Sequence, residues 1–179
     1  MPARLVVSPE ELTAIRMSIY EKVVRRYMEW KKVKPEDVTV RDLLPTDLGL
    51  SVDVWEKEFT ATGKQTIYSV TVPSETVLGI AGFIILDANP IATTLELKVE
   101  DKVIDVIDLE QFYSEEKKII KLDEDAIEKC IADEGKTLTI NGYIKDTGKL
   151  HMVVIGAIAR PVAKVGFPHR SAVEILGLR

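Results

Sequence analysis

His151 and His169 are the only imidazoles in the 179 residues, and Cys130 is the only thiol. A two-histidine metal centre needs both rings to converge with a carboxylate. His151, however, stands beside a turn at the head of an expected strand, and His169 lies in a Pro-containing tail. They are expected to stay apart as ordinary surface residues. The lone Cys130 excludes an intramolecular disulfide and any multi-cysteine metal site, so it reads as core filler. Two carboxylate groups, Asp123-Glu124-Asp125 with Glu128 and Asp101, Asp105, Asp108 with Glu110, offer oxygens to a hard cation. Neither has the Asp-rich loop with a central Gly of an EF-hand. The first reads as a helix start enriched in acids, which the macrodipole favours, and the second as a solvated strand edge. Trp55, Tyr68, Phe83, Phe112, Tyr113 and Tyr143 are raw material for a sugar-stacking platform, but their scatter over several strands makes them core and edge residues.

Catalytic motifs are missing as well. The sequence has no GxxxxGK[ST] phosphate loop, no GxSxG elbow and no HExxH zinc helix. It also lacks the paired histidines of a cupin, another β-barrel enzyme class, which weakens a metalloenzyme reading of a jelly roll. No catalytic, cofactor-binding or metal-ligating residue is assigned, and the chain is expected not to be an enzyme.

Composition narrows the partners. The net charge of -5 argues against a surface-wide nucleic-acid footprint, and no apolar run is long and uncharged enough to span a bilayer. Direct nucleic-acid and membrane partners are therefore not expected. Cations dominate Arg16 to Lys34 and acids dominate Glu100 to Glu134, an asymmetry that fits either head-to-tail contact between copies or two solvated faces. Asn occurs only at positions 89 and 141 and Gln only at 65 and 111, against many Lys and Glu, which is the bias of proteins from hot sources. The opening MPARLVVSPEEL carries no export signal, so synthesis in a cytoplasm is expected.

Several elements are legible. Ser8-Pro9-Glu10-Glu11 is a capping box with Pro at the first helical position. Leu12, Ile15, Ile19, Val23 and Tyr27 recur on one helical face, predicting a helix from Pro9 to about Lys32. Its basic residues are interrupted by acids, including a Glu21–Arg25 pair at helical spacing, so it reads as a docking helix. Residues 35–50 read as an irregular connector with buried leucines and a short helical turn near Val40 to Leu44. A strand through Val52, Val54 and Phe59 should form a hairpin with Gln65 to Val72.

The run from Thr66 to Val99 is the most apolar stretch. It predicts three strands broken at Pro73-Ser74 and Asn89-Pro90. Its middle strand, Thr76 to Asp87, should be buried on both faces. Gly79 and Gly82 should mark where another backbone, that of an opposing sheet, or a neighbouring subunit comes close. A hairpin across Asp101-Lys102, a helical turn at Leu109 to Tyr113, a strand through Ile119 to Leu122 and a short helix after Asp123, stopping at Gly135, follow. Strands on either side of Lys145-Asp146-Thr147-Gly148-Lys149 should pair with each other. Many short strands with frequent turns indicate a mainly β fold, an antiparallel β-sandwich. The expected organisation is an N-terminal helix and connector arm (1–50), a β-sandwich domain (51–162) and a C-terminal extension (163–179).

The motifs at Pro73 to Val99, with the turn Asp87-Ala88-Asn89-Pro90, then Asp108 to Tyr113, Lys136 to Ile140 and Val154 to Pro161, resemble those of small β-sandwich structural proteins of tailed viruses. Decoration and minor capsid proteins are among these. The resemblance implies a jelly-roll-like, non-catalytic domain that binds and stabilises a capsid lattice. Its partners would be the major capsid protein and further copies of itself in a homo-oligomer such as a trimer. It would reside in the virion after synthesis in the host cytoplasm, with the first helix and the tail as reaching arms. Two other readings stand beside it. A soluble carbohydrate-binding module would need exposed coplanar aromatics. A metal-dependent jelly-roll enzyme would need a polar pocket holding His151, His169 or clustered carboxylates.

Overall fold

The computed structural model describes residues 3–6, 8–112, 118–162 and 170–177. The chain starts with β1 (Arg4–Leu5) and the 23-residue helix α1 (Pro9–Lys31). Ser8 caps α1, its hydroxyl accepting from the Glu11 N–H at 3.1 Å, and Lys32 ends it in a left-handed conformation. There follow β2 (Val38–Asp42), β3 (Lys57–Phe59), β4 (Gly63–Thr71), β5 (Val77–Ile85), β6 (Ala92–Val99) and β7 (Lys102–Asp108). The remainder comprises β8 (Lys118–Lys121), α2 (Glu124–Lys129), β9 (Ala132–Asp133), β10 (Thr137–Ile144), β11 (Gly148–Leu150), β12 (Met152–Pro161), β13 (Arg170–Ser171) and α3 (Ala172–Ile175).

These strands form an antiparallel β-sandwich. One sheet runs β1-β8-β5-β12-β2-β13, with β9 also paired to β5, and the other runs β4-β10-β6-β7. Setting aside the short strands, β2, β4, β5, β6, β7, β8, β10 and β12 follow one another in the chain, which changes sheet at every step except from β6 to β7. The first, eighth, third and sixth of these lie together opposite the second, seventh, fourth and fifth, which is jelly-roll order. Tyr68 of β4 ties the sheets by donating its hydroxyl to the Met152 carbonyl of β12 at 2.8 Å.

The topology corrects two local expectations. The strands around the Lys145–Lys149 turn do not pair, because β10 lies in the four-stranded sheet and β12 in the larger one. The chain crosses between them through β11, which pairs with β3. β3 is thereby taken from the hairpin expected with β4, and Val52 and Val54 lie in a loop, 60% and 52% exposed. The connector is also more regular than expected. Val38 to Asp42 is a strand between β12 and β13, and the helical turn falls later, at Pro45–Leu48.

Every residue of β5 is buried. α1 covers one side of its sheet with Ile15, Ile19, Val23, Val24 and Tyr27, and the four-stranded sheet covers the other. A Cβ at Gly79 would meet Val23 at 2.9 Å and Ile19 at 3.1 Å, so this glycine admits the helix. A Cβ at Gly82 would lie 2.1 Å from the Ile120 carbonyl oxygen of β8, at a bulge where the register with β12 skips Ala81. The close neighbours at both glycines thus belong to the same chain, and neither is the opposing sheet. The segments expected to reach outward are part of the body: α1 docks on its own sheet, β13 pairs with β2, and α3 packs against α1.

The charge asymmetry resolves within the chain as well. Lys22 meets Glu128 at 2.5 Å, Arg26 chelates Asp133 at 3.1 and 3.2 Å, and Lys31 approaches Glu134 at 4.0 Å. The basic helix face and the acidic α2–β9 segment are partners of each other. Arg25 also pairs with Glu21 at 2.9 Å, as their spacing predicts.

Candidate functional site

One end of the sandwich gathers the described histidine with two carboxylates and exposed apolar side chains. Antiparallel pairing of β5 with β12 places Met152 opposite Ile85, which carries His151 to the turn that follows β5. There Leu86 N–H donates to the His151 carbonyl at 2.9 Å and His151 N–H donates to Asp87 Oδ2 at 2.8 Å. The His151 ring closes the arrangement, with Nδ1 2.8 Å from Asp87 Oδ1 and Nε2 3.4 Å from Glu56 Oε1. Lys149 reaches the same Glu56 oxygen at 3.2 Å, and its hydrogen bond holds the Glu56 carboxyl below the ordinary glutamate range. Beneath the turn, the wholly buried Lys118 ammonium donates to the carbonyls of Ala88 at 3.1 Å and Asp87 at 3.4 Å.

This geometry ties segments together and offers no nucleophile. Among the described residues both ring nitrogens face carboxylates, not a hydroxyl or thiol. The two carboxylates take different nitrogens instead of converging, and no group of three or more His, Cys, Asp and Glu among the described residues could hold a metal ion. The arrangement joins the loop before β3, the turn after β5 and the start of β12, and so fixes this end of the molecule. Val54 and Leu86, beside Glu56 and Asp87 in the chain, are 52% and 46% exposed there. Trp55 is anchored inward, its ring edge-on to Tyr68 with centroids 5.7 Å apart.

The other residues raised by the sequence separate. His169 and Tyr113 lie outside the described residues. Of the acids near α2, Glu124 meets Lys121 at 2.8 Å, Glu128 meets Lys22, and Asp125 meets Lys129 at 2.8 Å. The Lys121 hydrogen bond holds the Glu124 carboxyl low. In the second acidic group, Asp105 and Asp108 each accept from a backbone N–H nearby, of Val106 and Glu110, both at 2.9 Å. Among the described aromatics Tyr68 and Phe83 are buried, Trp55 and Phe112 are partly buried, and Tyr143 is exposed on the outer face of β10, so they form no coplanar platform. Cys130 is fully buried, and burial followed by the nearby Asp105 charge pushes its thiol up to about 12, leaving it protonated and unreactive.

A cavity of about 230 Å³ opens between α1, β1 and α2, with Ile15, Ile19, Ala81 and Ile127 on its apolar side and Arg4, Glu11, Lys121 and Glu124 at its polar side. The Arg4–Glu11 and Lys121–Glu124 pairs leave its charge balanced. No described helix is long and apolar enough to cross a membrane. No protein-family model matches the chain, and no curated protein matches it.

The histidine–carboxylate cluster has no contiguous motif in the sequence. Asp87 and Glu56 lie 64 and 95 positions from His151, and only the β5–β12 and β3–β11 pairings bring them together. The one local sign was an Asp at the end of an apolar strand, beside an Asn-Pro turn.

Proposed function

We propose that the chain is a non-catalytic virion component, a decoration or minor capsid protein that binds and stabilises a capsid lattice. The observation that carries this reading is the jelly-roll strand order, an architecture used repeatedly in viral shells. The fold also hosts lectins and cupins, so the choice among them rests on the site. The described aromatics give no sugar platform, and the described histidine is held between carboxylates. The order of motifs resembling tailed-virus structural proteins favours the shell. The end braced by His151 is the surface assigned to the lattice, because Val52, Val54 and Leu86 present apolar contact area on a rigid support.

Co-sedimentation with the cognate particles tests this. Binding should saturate at a fixed number of copies per lattice unit, and Val54→Asp with Leu86→Asp should weaken it at least tenfold. Failure of the wild-type chain to sediment with particles would overturn the reading.

A further inference from the structure

The four-stranded sheet buries one face in the sandwich, and no described element covers the other. Its register sets the outward residues in rows. Thr139, Lys98 and Val103 form one row, and Asn141, Glu96 and Val106 the next. Val103 and Val106 share this face although three residues apart, because the pairing of β7 with β6 skips Ile104. They are 46% and 56% exposed. The rows are already stiffened from within: Asn141 Nδ2 donates to Glu96 Oε1 at 3.1 Å, and Thr139 is bonded through its hydroxyl to β4 at 3.3 Å. Lys98 holds no ion pair among the described residues.

We infer that this face is an interface between two copies of the chain, related by a two-fold axis in the plane of contact that crosses the strands between the two rows. The operation exchanges the rows. It seats Lys98 over Glu96 of the second copy and Val103 over Val106 of the second copy, each contact occurring twice. The face is therefore complementary to itself in apolarity and in charge, Lys98 joining at Glu96 of the second copy the Lys64 that stands 3.0 Å from that carboxylate within its own chain. The two sheets then stack about 10 Å apart, as in any sandwich. Because Glu96, Asn141 and Thr139 are held by bonds across the strands, these side chains lose little rotamer freedom on contact. The interface stands apart from the lattice-binding end and does not depend on the shell reading.

Light scattering over a dilution series tests it, with thermal melting to confirm that each variant is folded. The wild type should show twice the chain mass. Lys98→Glu sets like charges opposite each other, so it should fall to the chain mass while still melting in one cooperative transition, at a temperature lower than the wild type by the stabilisation that association supplied. Adding Glu96→Lys to it exchanges the two charges and should restore the doubled mass. A wild type that stays monomeric at all concentrations would overturn the interface, even if it still binds particles. So would a Lys98→Glu variant that remains dimeric, or a double variant as monomeric as the single one.

Discussion

At the scale of single residues, the glycines of β5 differ in what stands against them. At Gly82 the obstacle is a backbone oxygen 2.1 Å from where a Cβ would sit, whereas at Gly79 it is the methyl ends of Val23 and Ile19. Side chains yield and a β-ladder does not, so Gly82→Ala should be the more damaging, by at least about 2 kcal/mol in urea denaturation. Equal losses would contradict this. Asp105 gives a pH signature. Burial holds its carboxyl above the ordinary aspartate range, against the bond from Val106 N–H. The native state therefore binds this proton more tightly than the unfolded chain. Its contribution is complete below the unfolded value, about 3.9, and is lost as pH rises through the native value. Asp105→Asn should thus melt higher than wild type near pH 7, with the gain vanishing towards about pH 3. Residue types let Cys130 be read as core and the acids of α2 as a helix start, but hid the Asp87–His151–Glu56 contacts, whose members meet only through strand pairing.

At the scale of elements, α1 was legible because its signals are local: a Ser cap, Pro at the first position and a stripe of period 3.6. β5 was legible as a doubly covered strand from its unbroken apolar run. The strand at Val38 to Asp42 was obscured by the turn formers on both sides of it, and it is held by β12 and β13, not by its own neighbours in sequence. Bulges at Ile67, Thr93 and Ile104 change the alternation within strands, which put Val103 and Val106 on one face against a simple period of two. The docking of α1 rests on apolar burial more than on its ion pairs. Ile19→Ala should cost about 3 kcal/mol and lower the melting temperature by about 10 °C. Lys22→Met, at a partly exposed pair with Glu128, should cost less than about 1 kcal/mol. The reverse ranking in thermal and urea melts would show that charge holds the helix.

At the scale of the whole molecule, strand content and turn spacing pointed to a sandwich, while the sheet assignment of β10 and β12 was beyond local reasoning. A strong turn between two apolar strands predicts a hairpin, yet here the flanking strands enter opposite sheets because β11 leaves to pair with β3. Such long-range pairing costs loop-closure entropy and is repaid only by the complete core. The closed core also changes what the ends of the chain can do. With α1 and α3 packed on the body, the attachment to a shell proposed above would fall to the braced end near His151. The most direct measurement is heating of cognate particles with and without the protein, followed by release of their contents. Particles carrying it should stay intact to a higher temperature than particles lacking it, and re-addition of the purified chain should restore the difference. Equal heat stability of the two would contradict the account.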